Sequence, residues 1–456
     1  MSGLGEVDRW AGALCVEGDP EGVRLARAVT EEVRRAGKHF LPRPLLLRLA
    51  EIRARHTPGR RRPFLRAFLD CLLDKHEGRY GNRTYLSLPL LELLLDGPQG
   101  VLAPDRLATL LISDVVRFET QAQDVPQDAA DRDQDRPGPA TARKRLRHAL
   151  RFIAHDHGVP DAEDLLSRAG GAAGAGGMPG PGRADVAGLL PRLTAAGGGH
   201  WFDVTVQPVY VLHDEYFFIR VLQAHEMLFT AIAGQMREVI AELRRGRPQA
   251  AARGVDGAAA RLERAAALFR LAATMRPEHF SAFRQFTQGA SAIQSEQYKR
   301  FEILCGDPAA ARLESAAFTS VPTVRAEARE PGHDSVVRAY LDLRRTSPAF
   351  PASPVSRAGR ISRASRVSRV SRAGRVEWGV QWGVLDASLG RLEECHQRWK
   401  STHRSLAVRM LGTAHGSGYT DGVPYLSGAL DNRLFGQLGQ SGQGLGRLPG
   451  RGGGRV

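Results

Sequence analysis

The stretch that decides the fold is residues 213–246, HDEYFFIRVLQAHEMLFTAIAGQMREVIAELRRG. Apolar side chains recur along it every three or four residues, which is the period of one face of an α-helix. Asp214 at its start is a candidate N-cap and Gly246 a candidate stop. The stretch therefore predicts one long amphipathic helix.

The same period recurs on both sides of this stretch, and few segments alternate as strands do. It is present in GVRLARAVTEEVRRAG (22–37), FLRAFLDCLLDKHEG (64–78), AAARLERAAALFRLAATM (258–275), SVVRAYLDLRR (335–345) and LDASLGRLEECHQRWKSTHRSLAVRMLG (385–412). The predicted fold class is all-α.

Changes of composition predict the domain boundaries. A helical region of unassigned role covers residues 1–165, and a Gly- and Pro-rich linker covers 166–199. The main helical domain covers 200–435 and is interrupted by an Arg/Ser-rich insert at 346–377, in which arginine recurs at every third residue. That period fits neither a helix nor a strand, so the insert is predicted to be a solvated disordered loop, with an RNA-binding or phosphorylated arm as the alternative. Residues 436–456 are predicted to be a disordered tail.

Charge and cysteine content narrow the function classes. The formal net charge of +15 includes a block of arginines in the insert, so we expect no nucleic-acid partner. The four cysteines form no CxxC pair, which suits a reducing compartment better than a disulfide scaffold. No apolar run reaches the ~20 residues that a membrane span needs, and we expect a cytoplasmic protein without a membrane partner.

His403 is the first candidate for chemistry. Leu406, Ala407 and Met410 follow it at helical spacing, so His403 lies on the apolar face of its helix. Such a residue is either a histidine of the core or an axial haem ligand, which needs no further sequence spacing.

Two more candidates lie on other predicted helices. His225 falls on the inner stripe of the 213–246 helix with Phe218 and Leu222, as a packed or a functional histidine. Arg284 lies in the aromatic cluster of Phe280, Phe283 and Phe286, where a buried guanidinium needs an acidic side chain or a ligand carboxylate.

A loop rich in glycine and hydroxyl groups, GTAHGSGYTDG (412–422), follows the His403 helix. It lacks the strand–loop–helix context and the Lys-Ser/Thr ending of a phosphate loop. A lid that donates hydrogen bonds to a ligand, Ser417 among its donors, is the alternative to a simple helix stop.

Three blocks together resemble the tryptophan 2,3-dioxygenase family of all-α haem enzymes. They are HDEYFFIRVLQAHE (213–226), FRQFTQGASAIQSEQYKRFEILCG (283–306) and THRSLAVRMLGTAHGSGYTDGVPYL (402–426). The resemblance implies a haem-binding helical bundle, here with an N-terminal helical extension. It also implies haem b with its iron, O2 and an aromatic amino-acid substrate, and by analogy a homotetramer.

The resemblance also assigns roles to residues. It makes His403 the haem-iron ligand and Ser291 a serine beside the haem. It makes Arg284 the residue that binds the substrate carboxylate and Ser417 the residue that binds the substrate ammonium. Phe218 becomes a residue of the substrate pocket.

Two positions depart from the family pattern. Leu222 stands where the family has a distal histidine that accepts from the indole N–H, and Phe280 stands where it has a tyrosine. Because a buried indole N–H without an acceptor costs about 1–3 kcal/mol, His225, one turn further on, is the candidate to replace the lost group. Distant relatives that hydroxylate tyrosine-like rings also lack that histidine, but Ala407 excludes the thioether link of their HxxxC motif.

The sequence therefore predicts a haem-dependent oxygenase of an aromatic amino acid, most simply one that inserts O2 into tryptophan or a substituted tryptophan. Two alternatives stay open. One is a haem-dependent hydroxylase of a tyrosine-like amino acid in secondary metabolism, and the other is a non-catalytic haem-binding accessory protein.

Overall fold

A computed structural model provides the structure of the chain. It describes residues 19–57, 62–95, 102–123, 136–155, 202–287, 294–347, 372–412 and 422–440. Within these ranges every regular element is a helix and none is a strand, so the predicted all-α class is confirmed.

Many of the helices are short, and three exceed twenty residues: α8, α9 and α16. In chain order the α-helices are α1 (Asp19–Ala36), α2 (Arg43–His56), α3 (Pro63–Leu72), α4 (Asn82–Tyr85), α5 (Leu88–Leu95), α6 (Pro104–Gln123), α7 (Pro139–Ala154), α8 (His213–Arg244), α9 (Pro248–Ala272), α10 (Pro277–Arg284), α11 (Glu296–Cys305), α12 (Ala310–Leu313), α13 (Ala316–Thr319), α14 (Pro322–Glu327), α15 (Val336–Thr346), α16 (Arg372–Leu411), α17 (Val423–Ala429) and α18 (Gly436–Gln440).

The long helix predicted first is α8, and its end was predicted better than its start. It ends at Arg244, and Gly246 adopts a φ of 72°, which glycine allows at no steric cost. The predicted N-cap at Asp214 is wrong, because the helix already begins at His213. The Asp214 carboxylate instead accepts from Arg145 Nη2 at 2.7 Å, a partner distant in sequence that no local pattern indicates.

The chain divides into two compact units, and neither is a continuous stretch. The first comprises Met1–Leu228, Arg264–Ser295 and Thr402–Ser427, and the second comprises Phe229–Glu263, Glu296–Ser401 and Gly428–Val456. The described N-terminal helices thus belong to the same unit as His403 and Arg284.

The first unit has an apolar core among its N-terminal helices. Leu25, Leu49, Phe68 and Leu90, from α1, α2, α3 and α5, are fully buried there together with Val204. Burying side chains of this size removes apolar surface from water and stabilises the fold by about 1.5–3 kcal/mol each. This packing attaches the 202–205 segment, which precedes α8, to the N-terminal helices.

The second unit contains a buried polar cluster around His396. The Tyr298 hydroxyl and His396 Nε2 are 2.9 Å apart, and Glu393 Oε2 accepts from the backbone N–H of Phe435 at 3.0 Å. Lys400 Nζ donates to the carbonyl oxygens of Ala429, at 2.9 Å, and Leu430, at 3.2 Å. These bonds satisfy charged groups that would be costly to bury unpaired.

Several boundary predictions fall at the limits of the described residues. The linker at 166–199 lies outside them and stays a prediction, as does the insert from 348 to 371. The final residues of the predicted insert, from Arg372, lie in α16 instead. The predicted tail also begins with a helix, Gly436–Gln440, because Leu438 is buried in it. Among the described helices none is long and apolar enough to cross a membrane.

Candidate functional site

The apolar face of α8 forms one wall of the candidate site. Phe218 and Leu222 lie one turn apart on this face, and both are only partly buried. His225 follows at the next helical position and is buried, with 7% of its surface exposed. Partly exposed apolar side chains next to a buried histidine are typical of a surface that receives an apolar ligand.

The end of α10 extends this wall. Phe218 contacts Phe280 at a ring-centroid distance of 5.6 Å and Phe283 at 5.4 Å, and the two rings of α10 are 5.5 Å apart. Phe283 is fully buried, whereas Phe280 is partly exposed beside Phe218. The aromatic cluster predicted around Arg284 is therefore only partly correct, because Phe286 packs elsewhere, against Tyr210 at 5.1 Å.

Arg284 lies in the last turn of α10 and is partly buried rather than fully buried. Burial lowers the pKa of its guanidinium, which nevertheless stays charged at neutral pH. Its backbone carbonyl accepts from Thr287 twice, from N at 3.0 Å and from Oγ1 at 2.7 Å. The main chain of Arg284 is thus fixed while the guanidinium remains within reach of solvent.

His403 reaches the same unit from α16. Its ring stacks on that of Phe269 in α9, with centroids 5.3 Å apart and an interplanar angle of 7°. Phe269 also contacts the His225 ring at 5.0 Å, so one phenyl ring joins the two predicted histidines. His403 is partly buried, and Ala407 and Met410 on the same face are buried, as the sequence pattern predicts.

No sequence pattern indicates that Phe269 belongs to the site. It lies on a regular apolar stripe of α9 with Leu262 and Ala265, which are fully buried. Nothing in such a stripe distinguishes a residue of the site from one of the core. Only the contacts of Phe269 with other helices distinguish it from a core residue.

His225 is neutral at physiological pH. Burial lowers the pKa of its imidazole to about 4, and the neighbouring His403 contributes in the same direction. His225 Nδ1 lies 3.0 Å from the carbonyl oxygen of Val221, which can only accept. Backbone hydrogen bonds to Val221 and Ala265 favour the protonated ring, but burial outweighs them.

Charged residues missed by the sequence reasoning lie on the opposite face of α8. Arg220 is fully buried, and its Nε donates to Asp114 Oδ2 at 2.7 Å. The Tyr216 hydroxyl donates to the same carboxylate at 2.7 Å. Burial alone would raise the pKa of Asp114, but the charges of Arg220 and Arg117 outweigh it and bring the pKa to about 2.

Two predicted site residues have no described position. Ser291 and Ser417 lie outside the described residues, as does most of the loop that follows α16. Their roles stay predictions. Phe218, Leu222, His225, Phe280, Arg284 and His403 all lie in the first unit, where ring contacts join Phe280 to Phe218 and, through Phe269, His225 to His403.

The fold and this set of residues define a class of protein first: an all-helical unit with an aromatic wall, an arginine at its edge and two histidines joined by a phenyl ring. Comparison with known proteins gives the family. Residues 204–323 match the sequence profile described as tryptophan 2,3-dioxygenase. The described helical fold and this match make the chain similar to the tryptophan 2,3-dioxygenase family over residues 204–323.

Similar proteins agree with the profile. The tryptophan 2,3-dioxygenase of Bordetella parapertussis is 28% identical over 239 residues, which cover 51% of this chain and 83% of the relative. That of Burkholderia pseudomallei is 28% identical over 232 residues, covering 50% of this chain and 75% of the relative. The profile match includes α8 and α10 but ends before His403.

Proposed function

We propose that the chain is a haem-dependent oxygenase of an aromatic amino acid, most simply one that inserts O2 into tryptophan or a substituted tryptophan. The observation that carries the proposal is the continuity of Phe280, Phe218, His225, Phe269 and His403 through ring contacts and one helix face. The similarity of residues 204–323 to tryptophan 2,3-dioxygenases supports this oxygenase activity.

The residues around His403 suit haem b. Haem iron in proteins takes an imidazole as its axial ligand, and the porphyrin needs apolar surroundings. His403 offers a partly buried imidazole on an apolar helix face, supported by a parallel aromatic ring. In this role His403 would hold the haem iron, Ser291 would lie near the haem, and bound haem would supply the binding and activation of O2.

The remaining residues of the site would bind and orient the substrate. Arg284 can hold the carboxylate of an amino acid with two parallel hydrogen bonds. Ser417 is proposed for the ammonium group. Phe218, Leu222 and Phe280 would exclude water from the aromatic ring, so that the reacting carbons are held in one orientation.

His225 is proposed to provide the polar contact that Leu222 does not. A neutral imidazole has one nitrogen that accepts hydrogen bonds, which suits an indole N–H donor. With a pKa of about 4 it does not serve as a proton donor at neutral pH. We propose that His225 orients the indole without exchanging a proton with it.

Leu222 and Phe280 specifically favour a second candidate. Both replace polar groups with apolar ones, and a pocket without an acceptor discriminates less strongly for indole. The second candidate is hydroxylation of a tyrosine-like ring with peroxide as the oxidant, in which one oxygen atom enters the ring and the other leaves as water. A non-catalytic haem-binding accessory protein is the third.

One experiment separates these functions. The full chain is loaded with haem, and its Soret band is compared with that of His403→Ala and of the control His148→Ala on α7. We expect the affinity for haem to fall at least ~100-fold in His403→Ala only, because the iron loses its protein ligand. Absence of haem uptake by the native chain would contradict the whole proposal.

The loaded protein is then incubated with tryptophan or tyrosine and O2 or peroxide, and the products are identified by mass spectrometry. A product two oxygen atoms heavier than tryptophan supports the dioxygenase. A tyrosine one oxygen atom heavier supports the hydroxylase, and no product with any aromatic amino acid supports the accessory protein.

Arg284 gives an independent test of the substrate site. Arg284→Leu should raise the KM for tryptophan about 100-fold at unchanged haem content, because the ion pair with the carboxylate is lost. Arg284→Lys, which keeps the charge but not the paired donors, should show a smaller increase. If haem content falls in parallel with activity, Arg284 has a structural role instead.

A further inference from the structure

The segment that follows Arg284 is attached to the N-terminal helices. Lys75 Nζ, in the turn after α3, donates a hydrogen bond to the carbonyl oxygen of Phe286. Further along, the backbone N–H of Asn82 donates to Gln294 Oε1 at 2.9 Å. The main chain at Phe286 is therefore bonded to Lys75, and the side chain of Gln294 to Asn82, both partners lying more than two hundred positions earlier in the sequence.

The ring of Phe286 is enclosed on the same side. It stacks on Tyr210 with centroids 5.1 Å apart and an interplanar angle of 13°. It also contacts Phe40 at 5.1 Å and His39 at 5.0 Å. Aromatic pairs at these distances add about 0.5–1.5 kcal/mol each beyond burial, so Phe286 is anchored by both its carbonyl and its ring.

This anchor is rigidly connected to Arg284. The N–H of Phe286 donates to the carbonyl of Phe283 at 3.0 Å, and Thr287 donates twice to the carbonyl of Arg284. Phe283 is fully buried and Thr287 is buried. The backbone of Arg284 thus lies between the core on one side and the Phe286 anchor on the other, and a displacement of Phe286 would move the guanidinium.

Lys75 is held in surroundings that do not favour its charge. Burial and the nearby ammonium of Lys38 lower the pKa of Lys75 to about 8, although Asp74 and Glu215 act in the opposite direction. Its Nζ lies 4.4 Å from the centre of the Tyr80 ring, a favourable cation–π distance. His39, which also faces this site, has a pKa lowered by burial and by Lys75. Burial disfavours the charge of Lys75, and the hydrogen bond from its ammonium to the carbonyl of Phe286 offsets part of that cost.

We propose that Lys75 is a positioning residue for the substrate, which sets the orientation of Arg284 through the carbonyl of Phe286 and makes the N-terminal helical region part of the substrate site. The link to the substrate rests on the proposed role of Arg284. The link between Lys75 and the 284–287 backbone does not, so the two are tested separately.

The backbone link is tested by amide hydrogen exchange on the full chain. In Lys75→Met, the peptide covering residues 277–287 should exchange about tenfold faster than in the native protein, because a charge-assisted hydrogen bond is lost. Lys75→Arg retains a cationic donor and should restore most of the protection. The control Lys144→Met removes an exposed lysine of α7 and should leave exchange in this peptide unchanged.

The substrate link is tested by kinetics on the same haem-loaded variants with L-tryptophan. Lys75→Met should raise KM roughly tenfold and leave kcat within about twofold, with an unchanged Soret band. If the native chain does not turn over or bind tryptophan, the proposed function fails and the exchange result still decides the backbone link.

A second pair of variants covers the case in which Lys75→Met does not fold. Gln294→Leu removes the acceptor that Asn82 uses, and Gln294→Glu retains one, so only Gln294→Leu should increase exchange of the Asn82 amide, which is the donor of this bond. Unchanged exchange in both Lys75→Met and Gln294→Leu would overturn the proposal. So would an equal loss of haem content and activity in Lys75→Met, since that result indicates a general structural role.

Discussion

The two faces of α8 in the first unit are the reverse of what an amphipathic helix usually presents. On one face, Tyr216, Arg220 and Gln223 are polar and buried. On the opposite face, Phe218 and Leu222 are apolar and partly exposed. Residues 218 and 220 are about 200° apart on a helix of 3.6 residues per turn, so the two faces do not overlap.

The buried polar side chains of the Arg220 face have their hydrogen-bond partners inside the protein. The Arg220 face is closed by the N-terminal helices, since α6 supplies Asp114 and the backbone oxygen of Leu86 accepts from Gln223 Nε2 at 2.8 Å. The Phe218 face continues to Phe280 and, through His225, to His403. The Arg220 face therefore stabilises the fold, and the Phe218 face is the one that we propose as the ligand site.

The largest effect on stability is expected from a substitution on the Arg220 face. Arg220→Met should lower the free energy of unfolding by about 3–5 kcal/mol, because it leaves the Asp114 carboxylate buried with fewer partners. Urea unfolding measures it, and Arg237→Ala, an exposed arginine of the same helix, should change stability by less than about 0.5 kcal/mol. In the double variant Arg220→Met with Asp114→Leu the loss should be smaller than the sum of the single losses. Additive losses would mean that the pair does not act as a unit.

The same face predicts a pH dependence. The pKa of Asp114 is about 2 in the folded protein and about 3.9 in an unfolded chain. The stability it contributes is therefore complete above about pH 4 and is lost as the pH falls towards 2. Arg220→Met raises the folded pKa and should flatten this part of the stability profile.

The difference between the faces also marks what could be predicted from sequence. The helical period identified α8, α9, α15 and α16, because it depends only on local spacing. The Phe218, Leu222 and His225 stripe followed from the same period. The burial of Arg220 and the partners of Asp214 could not be predicted, because they come from α6 and α7, which precede α8 by long stretches of chain.

The candidate site shows the same limit. Arg284 and His403 were predicted through blocks of sequence that resemble a family, whereas Phe269 and Lys75 carry no local signature. Both acquire their importance from contacts across the fold, with His403 and with Phe286. Pattern and resemblance predict which residues face inward, and tertiary contacts decide which of them act together.

On the apolar face we expect an effect on the affinity for tryptophan. Leu222→His places an acceptor where this family has its distal histidine, and it should lower the Kd of haem-loaded protein for tryptophan about tenfold. Leu222 is partly exposed, so the substitution should be tolerated. Spectral titration measures the gain, and 1-methyltryptophan, which has no indole N–H, should show none. An equal gain for both compounds would mean that packing, and not a hydrogen bond, is responsible.

A second pH dependence of stability is expected at His225, the buried polar residue of the apolar face. His225 has a folded pKa of about 4 and an unfolded pKa of about 6.5, so the unfolded chain binds a proton that the folded protein does not. Stability should therefore fall as the pH drops from about 6.5 to 4. His225→Phe preserves a ring against Phe269 and should flatten this slope, whereas His76→Phe, on an exposed histidine, should leave it unchanged. A slope that persists in His225→Phe would show that other groups titrate, and the neutral His225 ring would lose its proposed place beside the indole.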